Sequence, residues 1–407
     1  MTHHILVLGA GYAGLGAAKR AARLLASADV RVTLVNATDR FVERIRLHQL
    51  AAGQPLPDLP LADLLAGTGV DLVVATVTAV DPVARTVRIE RSDMPPYDHP
   101  DTPPYDTPPY DLPYDTLIYA LGSAAPTTAV PGLAAHALSV ATYEDAVRLR
   151  ERLAAPGAAA GSLTVVGGGL TGVETAAELA ETHRGLRVRL VTDADLAPGV
   201  SERGRRHLRR GLDRLGVEIR EHAPVSTVTE HGLVLADGAR LPADTVVWAA
   251  GFQVPHVARE AGFAVDRYGR MAVDATQRST SHPEVYAVGD AATAPAPGPA
   301  SRMSCQAGLP MGVQVADAVA ARLSGRDPRP LAVRYVSQCI SLGRRDGLVQ
   351  FVRADDSPVG AVLAGRKAAA VKEFICRFTV RVIRRPKPSA PRGPRPNQAR
   401  TPAGAGL

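Results

Sequence analysis

At 407 residues, with a formal net charge of +7, the chain is too long for one ordinary core and is expected to divide into two or three domains. No apolar run approaches the roughly 20 residues of a membrane-spanning helix, and the first predicted strand begins too early to leave room for a targeting peptide. Cys305, Cys339 and Cys376 lie far apart, which argues against a disulfide framework, a cysteine-rich metal site and a local dithiol. We therefore predict a cytoplasmic protein without a metal site.

The positive charge is concentrated at the C-terminal end. Residues 384–407 carry six basic and no acidic side chains, and residues 366–383 carry five basic and one acidic. The rest of the chain is mildly acidic, so the high isoelectric point says little about the functional site. No nucleic-acid partner is predicted.

The first predicted element is a βαβ unit that begins with HILVLGAGYAGLGAAKRA, residues 4–21, and closes with the strand VRVTLVN. Gly9, Gly11 and Gly14 fit the pattern G-x-G-x-x-G. In that pattern the first glycine allows a tight turn, the second lets the backbone approach a pyrophosphate, and the third lets helix and strand pack closely. The helix N-terminus then presents backbone N–H groups to the phosphates.

A looser region follows, with RFVERIRLHQLAAG at residues 40–53 and strand-like alternation after it. Residues 94–115 repeat a Pro-Pro-Tyr-Asp unit, and their proline density excludes a helix or a central strand. We interpret this stretch as an extended surface excursion between two strands, with a recognition motif for a partner as the alternative. The strand TLIYALGS, residues 116–123, then returns to the core.

A second βαβ unit begins with SLTVVGGGLTGVETAAELAE and repeats the glycine pattern at Gly167, Gly169 and Gly172. One such motif alone is weak evidence. Here each copy follows a strand, opens a helix and leads to another strand, which is the context that supports the motif. The sequence therefore predicts two dinucleotide sites.

The residue that binds the ribose is expected at the end of the second strand of each unit. In the first unit this residue is Asn36, an amide in place of the usual carboxylate, which can still hydrogen-bond a ribose hydroxyl. In the second unit Thr192 precedes Asp193, so the acid comes one position late, and no Arg or Lys adjoins it to meet a 2′-phosphate. NADH is therefore favoured over NADPH.

The two glycine loops, with YDTLIYALGS (114–123), DTVVWAAGF (244–252) and EVYAVGDAA (284–292), appear in an order and spacing that resemble the two-dinucleotide-binding-domain flavoproteins of the pyridine nucleotide-disulfide oxidoreductase superfamily. The likeness covers roughly residues 4–325. It implies FAD in the first unit and NAD(P)H in the second, with the nicotinamide stacked on the isoalloxazine and hydride delivered to flavin N5.

The resemblance implies an α/β fold with two Rossmann-like dinucleotide-binding domains and a small C-terminal unit. The FAD domain is discontinuous, at 1–140 and 252–330, and the NAD(P)H domain is inserted at 141–251 with Gly251 at the crossing. The C-terminal unit is expected at 331–385. Residues 386–407 lack apolar content and should be disordered.

The resemblance also assigns the cofactor contacts, with Gly122 near the FAD pyrophosphate and Asp290 on the ribityl chain. The implied FAD-binding residues are Gly9, Gly11, Tyr12, Ala13, Gly14, Asn36, Arg44, Val77, Ala120, Gly122, Gly289, Asp290, Gln306 and Ala307. The implied NAD-binding residues are Gly167, Gly169, Leu170, Thr171, Gly172, Glu174, Thr192, Asp193, Ala250 and Gly251.

Neither of the cysteine pairs that mark glutathione and thioredoxin reductases is present, so a dithiol relay is not expected. Residues 40–53, and SCQAGLPMG at 304–312, are similar to the flavin-contacting segments of type II NADH dehydrogenases and apoptosis-inducing-factor-like quinone reductases. A helix beginning at 304–312 would stabilise negative charge on reduced flavin. Gln306 and Ala307 match the family motif partly, and Pro310 departs from it and is expected to bend the helix.

The resemblance assigns catalytic roles to Glu174 and Gln306. Glu174 would orient the carboxamide or relay a proton to the reduced acceptor. The alternative is that Glu174 is a first-turn acid that complements the helix dipole.

Four other residues have simpler interpretations. Arg44 is expected to contact FAD, and His48 to be a hydrogen-bonded structural residue. Cys305 has no resolving partner in sequence, and Trp248 is expected in the core.

The C-terminal stretch AVKEFICRFTVRVIRR has one apolar helical face and basic residues on the others. The apolar residues are Val371, Phe374, Ile375, Phe378 and Val382. The basic residues are Lys372, Arg377, Arg381, Arg384 and Arg385. A basic amphipathic helix is typical of membrane-surface binding; the alternative is a helix, or a strand FTVRVI, packed on the flavin domain.

These observations predict an FAD-dependent NAD(P)H oxidoreductase, most like a type II NADH:quinone reductase, in the cytoplasm or at the inner face of the cell membrane. One alternative is a soluble reductase of a ferredoxin-like protein or a pathway-specific small molecule. Another is a redox-sensing interaction protein similar to apoptosis-inducing factor. The partners considered are NAD(P)H, a quinone-like acceptor, a membrane surface through residues 366–385, and a second copy in a homodimer.

Overall fold

The computed structural model describes residues 2–90, 109–157, 160–293 and 302–384. Most of the Pro-Pro-Tyr-Asp stretch and the basic tail at 386–407 lie outside the described residues, so the predictions made for them are not tested here.

The elements are numbered in chain order. The strands are β1 (His3–Leu8), β2 (Val30–Asn36), β3 (Val70–Val74), β4 (Thr76–Asp81), β5 (Thr86–Glu90), β6 (Tyr110–Pro113), β7 (Thr116–Tyr119), β8 (Ala137–Ser139), β9 (Ser162–Val166), β10 (Arg187–Val191), β11 (Glu218–Arg220), β12 (Val225–Thr229), β13 (Gly232–Leu235), β14 (Arg240–Pro242), β15 (Thr245–Trp248), β16 (Met271–Ala272), β17 (Val285–Ala287), β18 (Ala292–Thr293), β19 (Ser337–Leu342), β20 (Asp346–Val352) and β21 (Pro358–Ala364). The helices are α1 (Tyr12–Leu24), α2 (Leu47–Ala51), α3 (Leu61–Leu65), α4 (Leu133–His136), α5 (Tyr143–Ala154), α6 (Leu170–Thr182), α7 (Glu202–Arg214), α8 (Val257–Glu260), α9 (Cys305–Leu323) and α10 (Arg366–Arg384), with 3₁₀ turns at Arg44–Arg46 and Gly289–Ala291.

The first unit is built on a parallel sheet in the order β17-β7-β1-β2-β3. The four residues Ile5 to Leu8 of β1 are fully buried, as expected for a strand covered on both faces. Because β17 joins this sheet from far downstream, the unit is discontinuous in sequence.

The second unit has its own parallel sheet, in the order β11-β10-β9-β15-β8. It lies between β7 and β17 along the chain, so one nucleotide-binding unit is inserted into the other. This confirms the predicted α/β class with two Rossmann-like domains. The predicted boundary at residue 140 placed Ala137–Ser139 in the first unit, whereas β8 pairs with β15 in the second sheet.

A small antiparallel sheet, β4-β5-β6, extends the first unit. Strand β6 shows that the Pro-Pro-Tyr-Asp stretch ends in a strand rather than continuing as an excursion to residue 115. Among the residues that the structure describes, β6 pairs with β5 alone, and Pro113 is tolerated because it lies on an edge strand.

Helices α1 and α9 pack tightly against each other. A Cβ at Gly312 would lie 2.0 Å from the carbonyl oxygen of Ala13, so only glycine permits this approach. The contact holds the start of α9 beside the first glycine turn. Helix α9 continues through Pro310 to Leu323.

The C-terminal part consists of the antiparallel sheet β19-β20-β21 and helix α10. Ile340, Leu342 and Leu348 pack in the core of the second unit, whereas Ile383 at the end of α10 packs in the core of the first. This part therefore bridges the two nucleotide-binding units. Within the part of the chain that the structure describes, no helix is both long and apolar enough to cross a bilayer.

Candidate active site

The first glycine turn has the shape that a pyrophosphate requires. Gly9 has φ +93°, and a Cβ at Gly14 would lie 1.8 Å from the Gly9 carbonyl oxygen, so both positions need glycine for backbone reasons. A Cβ at Gly11 would meet nothing within 4 Å, and no side chain caps α1. The N–H groups at the start of α1 thus face open space, which fits the phosphates of FAD.

The second glycine turn repeats this geometry. Gly167 has φ +125°, and a Cβ at Gly172 would lie 1.8 Å from the Gly167 carbonyl oxygen. A Cβ at Gly169 would meet nothing within 4 Å, and no side chain caps α6. Leu170 and Thr171 form the first residues of that helix. The chain therefore has two glycine turns of similar geometry, and both fit nucleotide phosphates.

Asn36 holds the first glycine turn in place. Its Oδ1 accepts a hydrogen bond from the Ala10 N–H at 2.8 Å, and its Nδ2 donates to the Thr38 carbonyl at 2.8 Å and to Thr38 Oγ1 at 3.2 Å. The amide donors are used inside the loop, so a ribose hydroxyl would have to donate to Oδ1. The structure shows that Asn36 fixes the loop, whereas its contact with a ribose stays a prediction.

Arg44, Gly122 and Asp290 converge beside the first turn, although they come from three distant segments. Arg44 Nη1 lies 3.6 Å from Asp290 Oδ2 and 3.5 Å from Ser123 Oγ, and Ser123 Oγ donates to Asp290 at 2.6 Å. A Cβ at Gly122 would lie 3.7 Å from Arg44 Nη1. Polar groups of both signs therefore meet where the resemblance places the FAD pyrophosphate and ribityl chain.

The other predicted FAD contacts lie within the first unit. A Cβ at Gly9 would lie 2.5 Å from the Ala120 carbonyl oxygen, and one at Gly289 would lie 3.2 Å from Ala13 Cβ. Tyr12 is buried, and burial raises the pKa of its hydroxyl well above the usual value. Val77 lies on β4 and packs partly buried against the core of the first unit.

The start of α9 is capped and braced by side chains. Ser304 is the N-cap residue, and its Oγ accepts a hydrogen bond from the Ala307 N–H at 3.4 Å. Gln306 Oε1 accepts a hydrogen bond from Arg302 at 3.0 Å. Arg302 also pairs with Asp356 at 3.2 Å, so the side chain of Gln306 is tied to the C-terminal part. No motif marks this arginine in the sequence.

A buried charge cluster joins the second unit to the C-terminal part. Glu174 Oε1 accepts hydrogen bonds from the Ser341 N–H at 2.8 Å, from Ser341 Oγ at 3.2 Å and from the Lys372 ammonium. Lys372 also donates to Ser341 Oγ at 3.1 Å. The side chains of Glu174 and Lys372 are 12% and 11% exposed, so both charges are largely removed from water.

Glu174 is the fifth residue of α6, because the helix begins at Leu170, and no acid lies in its first turn. The prediction that Glu174 is a first-turn acid is therefore wrong. The helix-dipole interaction falls off within the first turn, so it does not explain this buried carboxylate. Lys372 is buried, whereas the sequence analysis assigned it only to a basic face. Lys372 lies four residues before Cys376, and side chains at this spacing share one face of a helix. This spacing could have placed Lys372 on the inner face.

His48 lies beside this cluster, with Nε2 3.5 Å from Ser341 Oγ. Burial lowers the pKa of His48 well below its usual value, and the nearby Lys372 and Arg344 lower it further. The ring is therefore neutral near pH 7. Its setting fits the predicted structural role.

A second buried acid lies one turn along α6. Glu178 is fully buried, pairs with Arg344 at 2.6 Å and accepts a hydrogen bond from Gln54. Arg344 N–H donates to Glu181 at 2.6 Å. Helix α6 therefore contacts the C-terminal sheet through carboxylates on one face, which sequence reasoning did not find.

The end of β10 contains the residues expected to contact the NAD ribose. Thr192 is buried, and a Cβ at Gly168 would lie 2.5 Å from its Oγ1, so Thr192 packs under the second glycine turn. Asp193 is exposed. Trp248 is buried in the core, as predicted, and its Nε1 donates to the Ala250 carbonyl at 2.8 Å beside Gly251.

The three cysteines are free thiols. Burial raises the pKa of Cys305 to about 11 and also raises those of Cys339 and Cys376. The thiols therefore stay protonated near neutral pH, which makes them poor nucleophiles.

Comparison with known proteins agrees with this geometry. Residues 3–319 match the pyridine nucleotide-disulphide oxidoreductase family. The chain is 36% identical over 329 residues to an NADH dehydrogenase-like protein of Mycobacterium tuberculosis, covering 76% of this chain and 78% of that one. It is 27% identical over 401 residues to a type II NADH:quinone oxidoreductase of Staphylococcus aureus, covering 91% and 93%.

A solved structure of NDH2 from Plasmodium falciparum in complex with NADH has a similar fold, with a TM-score of 0.76 at 13% identity, covering 94% of this chain and 97% of that one. The family implies FAD and NAD(P) as cofactors, which the two open glycine turns fit. The chain therefore belongs to the pyridine nucleotide-disulphide oxidoreductase family and is an NAD(P)H-dependent flavoprotein oxidoreductase.

Proposed function

We propose that this protein oxidises NADH and reduces a membrane-dissolved quinone. The first glycine turn, with Arg44 and Asp290, would hold FAD, and the second would hold NADH. Bound FAD would supply the two-electron chemistry between nicotinamide and quinone. The S. aureus relative, named a type II NADH:quinone oxidoreductase, supports this choice of acceptor.

The observation that carries the proposal is the arrangement of α10. Its inner face places Lys372 against Glu174, whereas its outer face exposes apolar side chains. Phe374 and Phe378 are 67% and 53% exposed, and their rings stack with centroids 6.1 Å apart. One helix therefore links the charge cluster to a surface suited to a lipid boundary, where a quinone is dissolved.

Reducing a quinone to a quinol takes two electrons and two protons. The hydride of NADH accounts for both electrons and one proton, so one further proton must come from a source near the site. Burial lowers the pKa of the Lys372 ammonium to about 8, although the adjacent Glu174 carboxylate favours its charged form. A proton held between these groups is therefore available near neutral pH. We propose that Glu174 and Lys372 hold and deliver it.

We also propose NADH rather than NADPH as the donor. Asp193 follows β10 and is exposed, and a carboxylate there would repel a 2′-phosphate. Two arginines of α7 that lie near this turn are paired with acids. Arg205 pairs with Asp195 at 2.8 Å, and Arg209 pairs with Glu221 at 2.8 Å.

The test compares Glu174→Gln with Glu144→Gln in FAD-loaded protein under anaerobic conditions. Glu144 is an exposed acid in the first turn of α5, so it controls for loss of one helical carboxylate. We expect Glu174→Gln to slow quinone-dependent NADH oxidation at least about tenfold, while Glu144→Gln has no effect. Unchanged turnover and NADH affinity in Glu174→Gln would refute the proton role.

A further inference from the structure

A cavity of about 110 Å³ lies between α1, α9 and the last turn of α10, away from the Glu174 cluster. Its wall is mainly apolar. The lining includes Leu15, Ala22, Leu309, Val313, Val382 and Ile383. A cavity of this composition accepts hydrocarbon in preference to a polar ligand.

Three cations of α1 lie at this cavity. Lys19 Nζ donates to the Leu64 carbonyl at 2.8 Å and to the Ile383 carbonyl at 2.7 Å, which ties α1 to the end of α10. Arg20 pairs with Asp317 at 2.8 Å. For Arg23 the described residues supply no hydrogen-bond or ion-pair partner, although its side chain is half-buried. The cavity therefore combines an apolar wall with an uncompensated guanidinium.

The cavity continues the exposed apolar stripe of α10. Val371, Phe374 and Phe378 are exposed, and Val382 lines the cavity. Spacings of three and four residues place these side chains along one side of the helix. The stripe proposed to lie on a membrane thus leads into the cavity.

The positive charge of Arg23 indicates which kind of molecule could occupy the cavity. The chain beyond α10 leaves from beside it, but residues 385–407 contain basic and no acidic side chains and would be repelled by Arg23. An anionic amphiphile satisfies both features, with hydrocarbon on the apolar wall and a phosphate on the guanidinium.

We propose that this cavity binds one acyl chain of an anionic membrane phospholipid, with the lipid phosphate paired to Arg23. The proposal rests on the membrane docking of α10 proposed above. The site would fix the orientation of α10 on the membrane, because Lys19 joins the cavity wall to the last turn of that helix.

The test measures binding of dihexanoyl phosphatidylglycerol, below its micellar concentration, to the full FAD-loaded chain by native mass spectrometry and calorimetry. We expect the wild-type protein to bind the lipid at one site. Arg23→Gln should lower the affinity about tenfold, and Val313→Trp should block binding because its side chain fills the cavity. Arg210→Gln, which removes an exposed arginine of α7, is the charge-matched control and should bind normally. Equal binding by wild type and Arg23→Gln would overturn the site.

Two further ligands test whether the site recognises an anionic lipid or only a free phosphate. Dihexanoyl phosphatidylcholine should bind more weakly, because its net charge is zero, and inorganic phosphate should not compete at equal concentration. Competition by phosphate alone would mean a free-anion site and would overturn the lipid proposal.

Vesicle sedimentation separates this proposal from the proposed function. If the short-chain lipid binds but the protein does not sediment with anionic vesicles, the membrane docking of α10 fails. The role of the cavity in orienting α10 fails with it, and only the assignment of the cavity as a lipid site stands. If the protein sediments with vesicles and Arg23→Gln does so equally, with no lipid adduct in either, docking stands and the cavity assignment fails.

Discussion

Replacing Lys372 with methionine removes the cation of the buried pair while keeping most of the side-chain volume. Removing one member of a buried ion pair costs about 3–5 kcal/mol, because the other charge is left uncompensated. Glu174 would keep its two hydrogen bonds from Ser341, at 2.8 Å and 3.2 Å. We therefore expect a loss near the lower limit, about 3 kcal/mol.

The double variant Lys372→Met/Glu174→Gln should recover most of this loss, since a neutral amide still accepts from Ser341. The expected coupling energy between the two positions is at least about 2 kcal/mol. Urea unfolding of all four FAD-loaded proteins, followed by tryptophan and flavin fluorescence, measures it. Additive effects, with a coupling energy near zero, would show that the two side chains do not form the pair described here.

Three other outcomes are expected. Gly11→Ala should fold normally but lose FAD affinity about tenfold, because its methyl group enters the open space before α1. Gly14→Ala should instead lower the temperature midpoint of unfolding. The ratio of flavin to protein absorbance and thermal unfolding of the purified proteins distinguish the two effects. The Lys372 ammonium loses its proton as the pH rises through about 8, so kcat with quinone should fall above that pH while NADH still bleaches the flavin at an unchanged rate. If kcat of Lys372→Met falls above the same pH as in the wild type, the fall does not come from Lys372. Phe374→Ser/Phe378→Ser should lower binding to vesicles about a hundredfold and leave turnover with a water-soluble quinone intact, and unchanged sedimentation would contradict a role for the apolar stripe.

The two glycine turns could be predicted from sequence because their requirements are local. A turn with φ near +90° and a helix packed against its own turn demand glycine at fixed spacing, and Gly9 and Gly14 meet both demands. The inserted order of the two units was expected only from the family resemblance, which rests on the order of the motifs along the chain. The boundary between the units could not be predicted, because β8 is only three residues long and is defined by its pairing with β15.

The charge cluster could be predicted only in part. Glu174 follows from the motif, but Ser341 and Lys372 come from segments without a motif. Helical periodicity showed that one side of α10 is apolar, and apolar residues normally face the core. Here the apolar side is exposed, and Lys372 is buried with its ammonium against the Glu174 carboxylate of the second unit. A local sequence pattern does not indicate which distant residue will pair with a buried charge.

We propose that electrons pass from NADH through the protein to a quinone. Anaerobic NADH oxidation by the purified FAD-loaded protein, with and without a short-chain quinone, tests this directly. We expect rapid turnover that depends on the quinone. Flavin that is bleached by NADH and stays reduced in the presence of the quinone would refute quinone reduction.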